Sequence, residues 1–360
     1  MSLGLYVHLP FCRTHCTYCA FAISTDIALQ DAYTEAVVRE AAAAALQPAA
    51  VESIYFGGGT PSRMTIDNLR AITSALPEAA REFSMEGNPE DITAESLDAW
   101  RGLGVNRVSI GVQSFRDDEL VPLGRVHGAE RAREAASLVV ASGVRTSVDL
   151  IAGLPNQTLD SCAASLDEAI RLGVGHISLY MLDLEARSPL AVQVARGRVT
   201  LPDDEVVAAM YVDAIERLRR AGFHQYEISN FARDDEECIH NLRYWSRGEY
   251  LGFGLAAHSF AGGERFANTR DIRKYIASSP DAVDFRERLG DDEVRRETIF
   301  LGLRQTSGLH YAELERLCGQ EATEWMDRGL RDGWLERHGA RVAFTPSGFL
   351  LSNEFISQLF

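Results

Sequence analysis

Short runs of alternating apolar and polar residues recur along the first half of the chain. Between them lie stretches whose apolar residues return every three or four positions. The first pattern predicts strands and the second amphipathic helices. "GLYVHLPF" opens the series and precedes the alanine-rich helix "DAYTEAVVREAAAAAL". "VESIYFGGG" leads into "TIDNLRAITSAL", and "EFSMEGNP" into "TAESLDAWRGLG", a helix with Thr93 as N-cap and Gly104 near its end. "NRVSIGVQSF" and "RTSVDLIAGLP" enclose the helix "AERAREAASLVVASG", and "LDSCAASLDEAIRLG" runs into "HISLYMLDLE". Strand and helix alternating six times predict a parallel sheet with helical crossovers.

Beyond Glu185 the pattern loosens. "LPDDEVVAAMYVDAIERLRRAG" reads as a helix and "HQYEISNFA" as a strand-like continuation. A polar loop follows, "RDDEECIHNLRYWSRGEYLGFGLAAHSF", mixing aromatics, histidines and glycines. From about Asp284 the chain changes character, toward a small helical module that ends in a hairpin-like wing, "LERHGARVAFTPSG".

With 46% hydrophobic residues in 360, the chain has enough apolar mass for a sizeable core. Its net charge of -16 argues against broad binding of nucleic acid, because no basic stripe can meet the phosphates. The start, "MSLGLYVHLPFC", has no basic region followed by a long apolar one, so no signal peptide is expected. No apolar run approaches the roughly 20 residues of a spanning helix, so no integral membrane segment is expected either. A cytoplasmic protein with reduced thiols is the expectation. Of six cysteines, Cys162, Cys238 and Cys318 are scattered and read as ordinary small core residues.

Functional residues of such sheets gather at the carboxyl ends of the strands. The words "FC", "GGGTP", "EGNP", "GVQSF" and "DLIAGLP" each follow an apolar run, which places them on one face. The first belongs to "HLPFCRTHCTYCAF", where Cys12, Cys16 and Cys19 fall within eight positions and no fourth cysteine follows. Three thiolates on a [4Fe–4S] cluster leave one iron open for a small molecule. Zinc completed by His8 or His15, or a free-thiol redox motif, satisfies the same spacing. "GGGTP" as local structure is a tight turn with Thr60 as N-cap and Pro61 in the first helical turn.

C-x3-C-x2-C with an aromatic, Tyr18, before the last cysteine resembles the signature of the radical S-adenosylmethionine superfamily. "YFGGGTPS" resembles its glycine motif, and the six units resemble its partial barrel. The implied fold is α/β: a partial (β/α)6 TIM-like barrel over residues 1–230, and a connecting region over 231–283. A small C-terminal α+β winged-helix-like module over 284–360 completes it. The superfamily cleaves S-adenosylmethionine at the open iron to form a 5′-deoxyadenosyl radical. Within it, "YVHLPFC", "RVSIGVQSF", "LGRVHG" and the terminal module resemble the oxygen-independent coproporphyrinogen III oxidase family, including its heme-chaperone branch. The resemblance puts S-adenosylmethionine contacts on Tyr6, Gly58, Gly59, Thr60, Glu86, Gln113, Arg125 and Asp149. The glycines are expected to admit close backbone approach to the methionine moiety.

Two features separate the branches. The oxidases carry a fourth cysteine two residues after the third, where this chain has Phe21, as the chaperones have an aromatic. "HNLRYW" resembles the chaperones' H-N-x-x-Y-W motif, which implies a heme role for His240, Tyr244 and Trp245. The expectation is a heme chaperone that lacks coproporphyrinogen III dehydrogenase activity and delivers heme to acceptor hemoproteins. A flavodoxin or ferredoxin would act as reductant if S-adenosylmethionine is cleaved, and a homodimer is allowed. The alternatives are that dehydrogenase, or a radical methyltransferase on the same scaffold.

Overall fold

The computed structural model describes residues 2–46 and 51–360. Six strands stand side by side in chain order and run parallel: β1 (Leu3–Leu9), β2 (Val51–Gly58), β3 (Glu82–Gly87), β4 (Arg107–Gln113), β5 (Arg145–Ala152) and β6 (His176–Met181). Parallel neighbours need a long crossover. The helices Gln30–Ala43, Ile66–Ser74, Ala94–Gly102, Ala129–Ala141 and Leu159–Leu172 provide it. The helix after Thr93 starts where a capping box forms. Thr93 Oγ1 accepts from the Ser96 amide (3.1 Å), and Ser96 Oγ accepts from the Thr93 amide (2.8 Å). Leu5, Val7, Phe56, Ile110, Val148 and Leu150 are buried between sheet and helices, in the near-continuous apolar runs that a sheet covered on its faces requires.

The sheet does not close. Outside β6 lie β7 (His224–Glu227) and β8 (Asn230–Ala232), with β8 antiparallel to β6. Outside β1 lie β9 (Tyr250–Phe253), β10 (His258–Ala261), β11 (Glu264–Asn268) and β12 (Val283–Arg288). β9 runs parallel to β1, and β10 to β12 continue antiparallel. The result is a partial (β/α)6 barrel extended at both edges.

The polar stretch read as a loop is structured: it holds the helix Ile239–Trp245 and the strands β9 and β10. Strands of four residues are too short for a periodic signal, and their pairing partners lie far away in sequence. Likewise, residues 283–288 stay in the large sheet through β12, and the next helix starts at Asp291. From there the helices Asp291–Leu303, Tyr311–Cys318 and Gln320–Asp332 pack with a small sheet of β13 (Leu309–His310), β14 (Leu335–His338) and β15 (Arg341–Phe344). Trp325, Phe344, Phe349 and Phe355 form a core of their own there. No helix among the described residues is long and apolar enough to cross a membrane.

Candidate functional site

The loop after β1 carries the three cysteines across the carboxyl ends of the barrel strands. It is pinned at several points: the Cys12 amide donates to Ser24 O (2.9 Å), the Thr17 amide to Leu123 O (3.1 Å) and the Leu190 amide to Thr17 O (2.9 Å). Cys12, Cys16 and Cys19 are free thiols that line one cavity of about 470 Å³. Tyr18, Gly58, Gly59, Thr60, Glu86, Gln113, Arg125 and Asp149 line the same cavity.

Among the described residues, no three His, Cys, Asp or Glu side chains gather as they do round one metal ion. Three soft thiol donors lining one cavity of this size are a donor set that fits an iron–sulfur cluster. His8 is not free to complete a zinc site, because its Nδ1 meets Tyr6 Oη (3.1 Å) and its Nε2 meets Ala22 O (2.8 Å). Burial pushes the Cys12 thiol up to about 11, against the hydrogen bond from Thr60, and burial raises Cys19 as well. Thiolates here therefore need positive charge beside them.

One residue that the sequence reading did not single out ties the site together. Asn88, in "EGNP", donates through Nδ2 to Thr60 Oγ1 (3.1 Å) and accepts at Oδ1 from Arg125 Nη2 (2.7 Å). Thr60 Oγ1 donates to Cys12 Sγ (3.3 Å), and Arg125 Nη1 donates to Cys16 Sγ (3.6 Å). A chain of four hydrogen bonds thus links two thiols through strands β2 and β3 and the loop after β4. The signal was a polar word at a strand end.

Glu86 and Asp149 put two carboxylates into the same cavity. Glu86 accepts from Tyr55 Oη (2.9 Å) and from the Gly58 amide (3.1 Å), and Asp149 accepts twice from Ser109 Oγ (3.0 and 3.1 Å). Burial and the neighbouring Asp149 push Glu86 up to about 7. Burial also raises Asp149. Such a pair is stabilised by a cation placed between or beside it. Gln113 has a φ of +67° at a register shift of the β4–β5 ladder, a strained conformation of the kind found where a side chain must be aimed at a ligand.

The glycines also have a local reason. A Cβ on Gly59 would lie 2.4 Å from the Pro10 carbonyl carbon, and one on Gly58, at φ +108°, 2.5 Å from the His8 ring. Close packing of the turn against the end of β1 already demands glycine at both positions.

Four residues expected at cofactors lie outside the cysteine cavity. Tyr6 sits in mid-strand, stacked on Tyr55 with ring centroids 6.3 Å apart, and lines two neighbouring cavities rather than the cysteine cavity. His240 is 1% exposed, with Nδ1 bonded to Ser53 Oγ (3.0 Å) and Nε2 to Tyr244 Oη (2.9 Å). Burial, then Arg243, lowers its pKa to about 3. Both ring nitrogens are committed, so His240 is not the open imidazole that an axial heme ligand requires. Tyr244 does line an adjacent cavity, whereas Trp245 lines none of these cavities and offers its carbonyl to Gln305 Nε2 (3.1 Å).

The sequence profile of the radical SAM superfamily matches residues 6–169, and that of the HemN C-terminal domain matches 289–351. The chain is 37% identical to the heme chaperone HemW of Mycobacterium tuberculosis, covering 99% of this chain and 94% of the relative. It is 34% identical to HemW of Bacillus subtilis, covering 97% of both, and 33% identical to that of Escherichia coli, covering 98% and 97%. Among solved structures, coproporphyrinogen III oxidase (HemN) from Escherichia coli superposes with a TM-score of 0.83 at 22% identity, covering 99% of this chain and 90% of that one. The last is a likeness of fold.

Proposed function

Because the chain belongs to the HemW family within the radical SAM superfamily, we propose that it is a heme chaperone. In this reading it binds heme, holds a [4Fe–4S] cluster and S-adenosylmethionine, and passes the heme to acceptor hemoproteins. The observation that carries this over the dehydrogenase alternative is Phe21. It is 68% exposed and stands in the wall shared by the cysteine cavity and a second, aromatic cavity. The resembled oxidases have a thiol at that position. A phenyl ring has no proton or hydrogen atom to give in exchange, and it offers apolar surface to a flat macrocycle.

Cys12, Cys16 and Cys19 would hold the cluster, which when bound supplies one-electron chemistry and an open iron for the amino and carboxylate groups of S-adenosylmethionine. Thr60 and Arg125 donate toward the thiolates, and Asn88 keeps both donors in place. Glu86 and Asp149 favour the cationic end of the ligand, while Ile151, Met181 and Leu182 add apolar wall to the same cavity. If S-adenosylmethionine is cleaved, flavodoxin or ferredoxin supplies the electron. The same reading puts the chain in the cytoplasm, with a homodimer as an allowed form.

The decisive test uses anaerobically reconstituted protein with S-adenosylmethionine and a reductant. About one heme should bind per chain and move to an apo-hemoprotein, with coproporphyrinogen III left unchanged. Stoichiometric, S-adenosylmethionine-dependent formation of protoporphyrinogen would transfer the assignment to the dehydrogenase.

A pH dependence tests the ligand site separately. With Glu86 near 7 in the free protein, a proton occupies the carboxyl pair below that pH and a cation must displace it. Affinity for a sulfonium ligand, read by calorimetry, should therefore rise with pH, by up to about tenfold per unit below 7, and level off above. Glu86→Gln should flatten the profile. Equal wild-type affinity at pH 6 and 8 would remove Glu86 from the site.

A further inference from the structure

We propose that heme lies in the cavity walled by β1, β9, β10 and β11, with the His258 imidazole as its axial ligand and Arg270 facing a propionate. This rests on the heme-chaperone reading above. The cavity holds about 520 Å³, within the roughly 300–1,000 Å³ of small-molecule sites. It adjoins the cysteine cavity, sharing Ala20 and the exposed Phe21 with it.

Its floor suits a flat aromatic ligand. Phe260 of β10 is paired with Tyr250 of β9 on one side and Arg265 of β11 on the other, so the three residues form a row across the sheet. Tyr244 meets Tyr250 edge to face with centroids 4.6 Å apart, and Arg247 sits 5.2 Å over the Phe260 ring. The remaining wall is cationic. Glu297 pairs with both Arg247 and Arg265, and Glu287 pairs with Arg265. Arg270 makes no ion pair with any described residue and reaches only the Ala20 carbonyl, at 3.5 Å. A macrocycle bearing carboxylates supplies the missing counter-charge.

Two imidazoles line this cavity. His8 has both nitrogens engaged, with Tyr6 and Ala22. His258 is exposed, and neither of its nitrogens has a hydrogen-bond partner among the described residues. It sits two residues before Phe260 on the same strand and therefore on the same face. Partial desolvation of the ring by its neighbours, then Arg265 and Arg270, lowers its pKa, which favours the neutral form that ligates iron. A metal-free anion has no use for a free imidazole, and heme iron does.

The experiment is a titration of the anaerobically reconstituted full chain with hemin, and in parallel with metal-free protoporphyrin IX, recording the Soret band and the dissociation constant. Wild type should bind hemin more tightly than the metal-free ring. His258→Ala should shift the hemin band, weaken hemin by about tenfold or more and erase the preference for metal. Added free imidazole should return the wild-type band to that variant, which shows that its cavity is intact. Arg270→Gln should weaken both ligands without moving the band. If wild type binds hemin and His258→Ala matches it in band and affinity, this inference is overturned and the chaperone reading stands. If wild type binds no hemin at all, the chaperone reading itself fails.

Discussion

Replacing Cys12, Cys16 or Cys19 with alanine is expected to abolish the [4Fe–4S] cluster in anaerobically reconstituted protein. Cys162→Ala, Cys238→Ala and Cys318→Ala should each keep about one cluster per chain. The first three thiols line one cavity with a cation, Arg125, beside them, whereas Cys162 is packed in the main core. Cys238 donates to the buried Glu82 (3.4 Å), and Cys318 packs against the core of the terminal module. In this reading three thiolates hold the cube and one iron is left for S-adenosylmethionine, so loss of one thiolate would leave it held at two corners. Neither Thr60 nor Arg125 can substitute, since neither offers a soft anionic sulfur to iron. Iron and acid-labile sulfide content measure the outcome. A full complement of both in Cys16→Ala would remove the cluster assignment.

The second large effect should come from Glu82, a carboxylate with no ligand to bind. It is fully buried in β3 and accepts from the amides of Ile239 (3.0 Å) and His240 (3.1 Å), at the start of the helix that carries "HNLRYW". Arg145 lies 3.5 Å away, and the buried Arg107 feels its charge. Glu82→Ala strips two amides of their acceptor, breaks the ion pair with Arg145 and removes one of the negative groups near the buried Arg107. The expected loss is about 3–5 kcal/mol of unfolding free energy, the usual result of removing one partner of a buried pair. Glu82→Gln should lose less, because its amide oxygen still accepts from the helix. Because that helix carries Tyr244 to the heme cavity, Glu82→Ala should also weaken hemin binding. Urea unfolding followed by circular dichroism gives the first number, and a loss below about 1 kcal/mol would show that Glu82 is not an anchor.

The order of β1 to β6, their parallel sense and the helices between them were legible in the sequence. Strand and helix periodicities are local, and parallel neighbours permit few connections. The same reasoning located the site. With each strand followed by a crossover helix, every polar word after an apolar run must reach the same face. Cys12, Thr60, Glu86 and Gln113 could therefore be grouped without coordinates, and Thr93 could be read as a cap because its partner Ser96 is three residues away.

Other features depended on groups that only folding brings together. The pairing of β9 with β1 joins Gly4 to Tyr250, two positions with no common pattern, through strands too short to announce themselves. Whether a histidine is an available ligand depends on what its nitrogens already touch. His240 looked open in its motif and is closed by Ser53 and Tyr244, while His258, which no motif marks, faces a cavity unbonded. Asn88 bridges two thiols because three separate strand ends meet around it. By itself the sequence determined which elements form and which face they serve, since those follow from spacing along one chain. Only the tertiary structure decided which polar atoms were left free for a ligand, because each hydrogen bond that closes one depends on a partner distant in sequence.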